Sequence, residues 1–403
     1  MDGAIWHNIN YQMWSSMILD IMSMIGTAVA NQMPSFMAVS DVTNRLFSDD
    51  LSKMAPHKQE NNKAHTAFAT HTFLEKMMSP VENRHHLFNV DGTLNNEMLK
   101  KYIMRDQEIK GLLCALLTSC SAVPIRPWQF GSIVFDSCGE ADRNVWIIDD
   151  RFVAGKPKAK QLHLLFADTV FWFPRAITSD LIAFLYIQQP FISSLLVKKG
   201  IVDLLYASHV WALPSTRSRN TYSKVWNGQD INQKVRNLTQ GLIGSPVDPQ
   251  LARQSSQGLL RDKIPILFEI FQSRGNLHLE QGSYRHQPCL ESYAIRHNLK
   301  RLAHMSNIPV DRVSACLIIC DIWQSMHKIE EADPIWQPMV VGSYIFPTVA
   351  HDALAYLGAQ NFKMMANTSS QCIFDQHSLT RGVTLLTDTD SLEDKVCPWT
   401  PES

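Results

Sequence analysis

The sequence predicts a mainly α fold with one small three-stranded antiparallel sheet, an α+β protein. Three observations predict it. Apolar residues recur at helical spacing over long stretches on both sides of the chain's middle. Between Asn144 and Phe166 the period shortens to two, with turn residues close by. The composition, 45% hydrophobic and 19% charged over 403 residues, is that of a globular chain long enough for two domains or for one large domain with appendages.

Taken in order, Met13, Met17, Ile18, Ile21 and Met22 mark one face of a first helix. The apolar run Trp14 to Ala30 contains Asp20 and is short for a bilayer span, so it reads as a Met-rich core helix. No cationic segment precedes it and Asp2 is acidic, which is unlike a secretory leader. The expected setting is therefore intracellular and away from membranes. Lys53 to Lys63 is polar and reads as a loop or helix boundary, followed by a helix over Ala64 to Met78. Gly92 and Asn95-Asn96 mark a turn, with Asn96 placed to cap a helix through Met98 and Tyr102. Ile109, Leu112, Leu113, Leu116 and Leu117 predict a buried helix over Met104 to Cys120, broken by Pro124, and Trp128 to Phe135 restarts the pattern.

Asn144 to Ile148 is β-like, Asp149-Asp150 is a turn, and Phe152-Val153 opens a second strand. A lysine-rich turn, Gly155 to Lys160, leads to a third strand over Gln161 to Phe166. Beyond Pro174 the spacing is helical again, over Ser179 to Tyr186 and Ile192 to Val197. Ser208 to Arg219, crossed by Pro214, reads as a loop, and Thr239 as a candidate cap. Helices are expected at Leu259 to Phe271, kinked at Pro265, at Ser283 to Ala303, at Val310 to Lys328 and at Tyr344 to Met365. Ala366 to Ser403 lacks periodicity and is expected to be poorly ordered. These elements suggest a helical N-terminal domain over 1–100, a second domain over 101–330, and a C-terminal helix with an acidic tail over 331–403.

The net charge of −1 hides an uneven distribution. From Glu330 onward there are ten acidic residues and three basic ones, which leaves 34 basic against 28 acidic residues in the rest. Lys198, Lys199, Arg217, Arg219, Lys224, Lys234 and Arg236 face only Asp203 and Asp230 in their stretch, a pattern suited to phosphate contacts or to a solvated loop. The eight cysteines show no C-x-x-C and no dense framework, which fits thiols in a reducing compartment. Cys316 and Cys320 lie one turn apart with His297 and His304 upstream, but buried structural cysteines account for them better than a zinc site. His85-His86 reads as a surface pair, and no metal is assigned. The chain has no G-x-x-x-x-G-K-[S/T] loop, no G-x-S-x-G and no H-E-x-x-H, so no nucleotide-driven engine and no cofactor are expected.

Three short stretches carry the chemistry. They are Arg126 in Ser121 to Ser132 (SAVPIRPWQFGS), Lys156 in Phe152 to Phe166 (FVAGKPKAKQLHLLF), and Arg285 with His286 in Gly282 to His286 (GSYRH). In this order and spacing they resemble the two arginine boxes and the hairpin lysine of tyrosine recombinases, the phage-type integrases, over Met104 to Lys328. A narrower likeness is to the recombinase-like region found beside telomere-linked RecQ-like helicases and mobile elements in fungi. There a Pro-x-Arg box, a similar hairpin, a Leu-Pro-Arg stretch (here Phe173-Pro174-Arg175) and Tyr-Arg-His occur together.

The resemblance implies a recombinase-like catalytic domain preceded by a helical domain that helps clamp DNA. It implies double-stranded DNA as partner, a nuclear location, and room for a homo-oligomer. Arg126 and Arg285 would hold a phosphate through forked donors, and Lys156 would protonate the leaving oxygen. Lys158, Lys160, Arg217, Arg219 and Lys224 would contact DNA. The sequence departs from the family at three points. Gly282 stands where the second box usually begins with histidine, and Asn307 where histidine or tryptophan is usual. No tyrosine lies between Tyr293 and Tyr344, and the nucleophile position falls near Cys316. The expected function is DNA binding by a degenerate recombinase of mobile-element origin without strand cleavage. Two alternatives stand beside it: an active strand-transfer enzyme with a displaced nucleophile, and a helical interaction protein or decayed gene fragment without DNA function.

Overall fold

The computed structural model describes residues 11–33, 38–40, 48–78, 87–89, 91, 93–121, 125–137, 142–155, 170–214, 223–253, 256, 299–306, 308, 313, 316–317, 320–321, 323–325 and 327–330. Helices dominate them. Helix α1 (Tyr11–Gln32) buries Met17, Ile18 and Ile21 of the predicted stripe, together with Trp14, Ile25 and Val29, while Met13 and Met22 are half-buried at its edges. Helix α2 (Glu60–Met78) follows a single 3-10 turn at Pro56–Lys58. Helix α3 (Asn96–Ser119) packs along α1 in the opposite direction. Trp14 Nε1 donates to the Ser119 carbonyl at 3.4 Å at one end, and Gln32 Nε2 to the Tyr102 carbonyl at 3.3 Å at the other.

The cap of α3 is Asn95, one residue before the expected Asn96. Its N–H is tied to the Leu87 carbonyl at 2.9 Å. That leaves its side-chain oxygen to accept the Glu97 and Met98 N–H groups at 3.2 and 3.1 Å, as a cap must. Trp128 to Phe135 is likewise a tighter element than a resumed helix: Pro127–Ser132 forms a 3-10 turn.

The predicted hairpin is present, with β1 (Val145–Ile148) antiparallel to β2 (Arg151–Gly155) and Val145 opposite Ala154. Asp149 and Asp150 both take positive φ, 48° and 58°. This is the backbone of a two-residue hairpin turn, whose twist matches that of the strands. The sheet's third strand is β3 (Val170–Trp172), in the order β1-β2-β3. The expected strand over Gln161 to Phe166 lies outside the described residues. All four β1 residues and all five β2 residues are buried, so apart from Arg151, whose Nε donates to the Phe173 carbonyl at 3.2 Å, these strands read as apolar runs rather than as alternation.

The helices after Pro174 are joined rather than separate. Helix α4 (Thr178–Ile182) passes through a π-helical stretch, Ala183–Gln188, into α5 (Gln189–Lys198). Pro190 has no N–H to give to the carbonyl one turn back and its ring crowds that carbonyl; the wider turn accommodates both. The Gln189 N–H accordingly reaches five residues back, to the Phe184 carbonyl. After the short α6 (Leu204–Ser208), the segment expected as a loop contributes a strand. β4 (Ala212–Pro214) pairs antiparallel with β5 (Ser223–Val225), with Leu213 opposite Lys224. Pro214 is tolerated at the end of this two-stranded edge. Helix α7 (Gly228–Ile243) is capped by Asn227, while Thr239 is interior and buried, its hydroxyl accepting the Val247 N–H at 2.8 Å.

The chain forms two compact units. The first comprises Met1–Ser119, Ile125–Lys158 and Phe173–Leu251; the second comprises Cys120–Pro124, Ala159–Trp172 and Ala252–Ser403. In the first, α1, α3 and α7 pack together and the 3-10 turn at Pro127–Ser132 lies against α7. In the second, α8 (Leu299–Ser306) buries Leu299, Leu302 and Ala303. Gln324 Nε2 donates to the Trp172 carbonyl at 3.0 Å there, beside the Cys320 thiol. Two helical stretches, Gln12–Gln32 and Arg175–Lys198, are long and apolar enough to cross a bilayer, and most of the second is buried within the protein.

Candidate nucleic-acid interface

Arg126 sits at the mouth of the 3-10 turn in extended backbone, φ −76° and ψ 145°, the conformation that a following proline favours. Its N–H donates to Gln129 Oε1 at 2.9 Å and its carbonyl accepts the Gln129 N–H at 2.8 Å, a closed loop around a buried glutamine. Ile125 on one side and Phe130 on the other are buried, and Phe130 meets the Trp211 ring edge-on at 4.9 Å between centroids. The backbone is thus fixed at both sides of Arg126. The side chain is half-buried, and its guanidinium has no hydrogen-bond or ion-pair partner among the described residues.

The turn is wedged against the start of α7. A Cβ at Gly131 would lie 2.6 Å from Val225 Cγ1, and one at Gly228 would lie 3.5 Å from Pro127 Cβ. At that junction Asn227 Oδ1 accepts the Gln229 and Asp230 N–H groups at 2.8 and 2.9 Å. Asp230 Oδ2 in turn accepts the Asn227 N–H at 3.0 Å, which completes a capping box. Lys224, exposed on β5, pairs with the same Asp230 oxygen at 3.2 Å. An exposed pair of this kind is worth roughly 0.2–1 kcal/mol, so it holds Lys224 only weakly.

The fold therefore brings the Arg126 turn and the Lys224 strand to one end of α7. The other residues picked out from the sequence, Lys156, Lys158, Lys160, Arg217, Arg219, Arg285 and His286, lie outside the described residues. Lys156 directly follows the last residue of β2, and Arg217 and Arg219 fall in the connection between β4 and β5. Cys316, near the nucleophile position, is buried, as are Cys114, Cys120 and Cys320. Burial pushes the Cys114 thiol well above its usual range, which suits a structural cysteine rather than a reactive one. Among the described residues no three His, Cys, Asp or Glu side chains converge on a metal-sized site.

Two buried ionic clusters escaped the sequence reading. Asp106 and Lys110, one turn apart on α3, are both fully buried and paired at 2.8 Å. Lys110 Nζ also donates to the Ala212 carbonyl at 3.0 Å and lies 4.3 Å from the Tyr206 ring centre. Tyr206 Oη donates to Asp106 Oδ2 at 2.8 Å, and Gln189 Nε2 donates to Asp106 Oδ1. Burial lowers the Lys110 pKa and Asp106 opposes that shift. The second cluster is a bidentate fork in which the Arg143 guanidinium donates to both Asp49 oxygens at 2.7 and 2.9 Å. Arg143 Nε reaches the Ser52 carbonyl at 2.7 Å, and the Ile147 N–H of β1 donates to Asp49 at 2.9 Å. Nearby, burial and the Lys58 and Arg143 charges lower the His57 pKa to about 4, against an opposing effect of Asp136. An i, i+4 Asp-Lys pair is visible in the sequence, but nothing in the sequence says that it is buried. Both clusters are buried and their charges are met by protein groups, so they serve as struts rather than as reactive centres.

No family model, no curated protein and no solved structure matches this chain.

Proposed function

We propose that the protein binds double-stranded DNA, as a degenerate relative of tyrosine recombinases of mobile-element origin that no longer cleaves strands. The observation that carries this reading is Arg126. A guanidinium held on a rigid turn, half-buried, with no carboxylate partner among the described residues, is suited to an anion from outside the protein. The order Arg126, Lys156, Arg285 in the sequence supports a phosphate as that anion. The stretch after Tyr293 that contains no tyrosine before Tyr344 supports binding without attack, because a proton donor and two arginines stabilise a transition state that nothing initiates. With phosphate contacts dominating, the affinity falls steeply with salt. A nuclear location follows from the same reading.

The deciding experiment measures binding of the full chain to a fluorescent duplex over a salt series, alongside a nicked substrate probed for a covalent adduct. Salt-sensitive binding without an adduct is the expected result. An adduct establishes a displaced nucleophile instead, and the absence of binding at low salt removes the DNA reading altogether.

A further inference from the structure

The outward face of α7 is built from amides and one guanidinium and carries no carboxylate. Gln229, Gln233, Arg236 and Gln240 recur at helical spacing, and all four are exposed, opposite the buried Ile231, Val235 and Thr239. A solvated helix face commonly mixes acids and bases three and four residues apart. Here the helix's one acid, Asp230, is engaged in the cap and with Lys224. Gln233 Nε2 donates to Asn237 Oδ1 at 2.6 Å, which orients one amide in advance. Beside the face, Lys234 borders a groove of about 670 Å³ between α1, α3 and α7, where Lys101 and Arg105 are opposed by Glu108.

We infer that this face of α7 enters the major groove of duplex DNA and reads base edges, while Lys234, Lys101 and Arg105 take flanking phosphates. The inference rests on the DNA-binding reading above but uses different side chains from Arg126. The major groove admits an α-helix. A glutamine amide matches the adenine N6/N7 edge, and an arginine fork matches guanine O6/N7. Gln229 to Gln240 spans about 16 Å along the axis, roughly half a turn of duplex, so the face addresses a handful of base pairs. The positive rim and the absence of acid on the face match a polyanion and disfavour an acidic-patterned protein surface.

The test selects duplexes from a randomised pool with the full chain, then measures anisotropy on the selected and on scrambled duplexes. Wild type is expected to prefer the selected sequence. Arg236→Ala and Gln233→Ala are expected to lose about tenfold on it and little on the scrambled duplex. Arg236→Lys keeps the charge but not the fork, so it should hold affinity for the scrambled duplex while losing preference for the selected one. Equal melting temperatures show that the exposed variants fold. If wild type binds duplexes without preference, or if the variants change neither affinity nor preference, this inference fails and the DNA-binding reading stands. If wild type binds no duplex at low salt, both fail.

Discussion

Buried Lys110 pairs with Asp106 one turn before it and donates to the Ala212 carbonyl, while Tyr206 and Gln189 donate to the Asp106 oxygens. Removing one member leaves a buried charge without its counter-ion. Asp106→Ala should therefore cost on the order of 3–5 kcal/mol in urea unfolding, whereas the double change Asp106→Leu with Lys110→Met should recover much of that loss. A single variant that melts like wild type would show the pair to be dispensable. His57 gives a pH prediction at the same scale. Burial holds its folded pKa at about 4, below the usual 6.5, so the folded state keeps it neutral where the unfolded chain binds a proton. Its contribution is complete above pH 6.5 and is lost as pH falls toward 4, on the order of 3 kcal/mol in all. His327, also lowered to about 4 by burial, acts in the same direction. Stability measured from pH 7 to pH 4 should fall, and His57→Gln should flatten the fall without abolishing it. An unchanged slope in that variant would contradict the assignment.

At the scale of elements, the junction between the Arg126 turn and α7 depends on a missing side chain. A Cβ at Gly131 would press Val225 at 2.6 Å and approach the Trp226 carbonyl at 3.1 Å. Gly131→Ala should destabilise by about 1–3 kcal/mol. Gly241→Ala in α7, where nothing lies within 4 Å, should be neutral or stabilising by up to about 1 kcal/mol. Equal melting temperatures for the two variants would show that the junction is loose. The β1-β2 hairpin was legible because its turn chemistry and its apolar runs are local. The β4-β5 pairing was not, because Pro214 reads as a breaker and three-residue strands carry too little pattern to stand out. The π-helical passage was also missed: Pro190 signals an interruption, but only the buried neighbours of Ala183–Gln188 keep the helix going through it.

For the whole molecule, binding of DNA through its phosphates is read in the salt dependence of affinity. Wild type should show log affinity falling linearly with log salt, and Arg126→Ala should weaken binding several-fold at low salt and reduce that slope by about one. Identical salt plots for the two proteins would remove Arg126 from the interface. The mutual distances of Arg126, Lys156 and Arg285 in an experimental structure provide the geometric counterpart, since two arginines must reach one phosphate together. The sequence by itself determined the class of fold, the first helix and the hairpin, because period and turn residues are local properties. Only the tertiary structure decided which charges are buried as struts, as with Asp106, Lys110, Asp49 and Arg143, and which polar side chains stay exposed, as on the amide face of α7. The physical reason is that burial and partner choice depend on contacts between residues as distant as Asp49 and Arg143, and such pairings leave no trace in a local pattern.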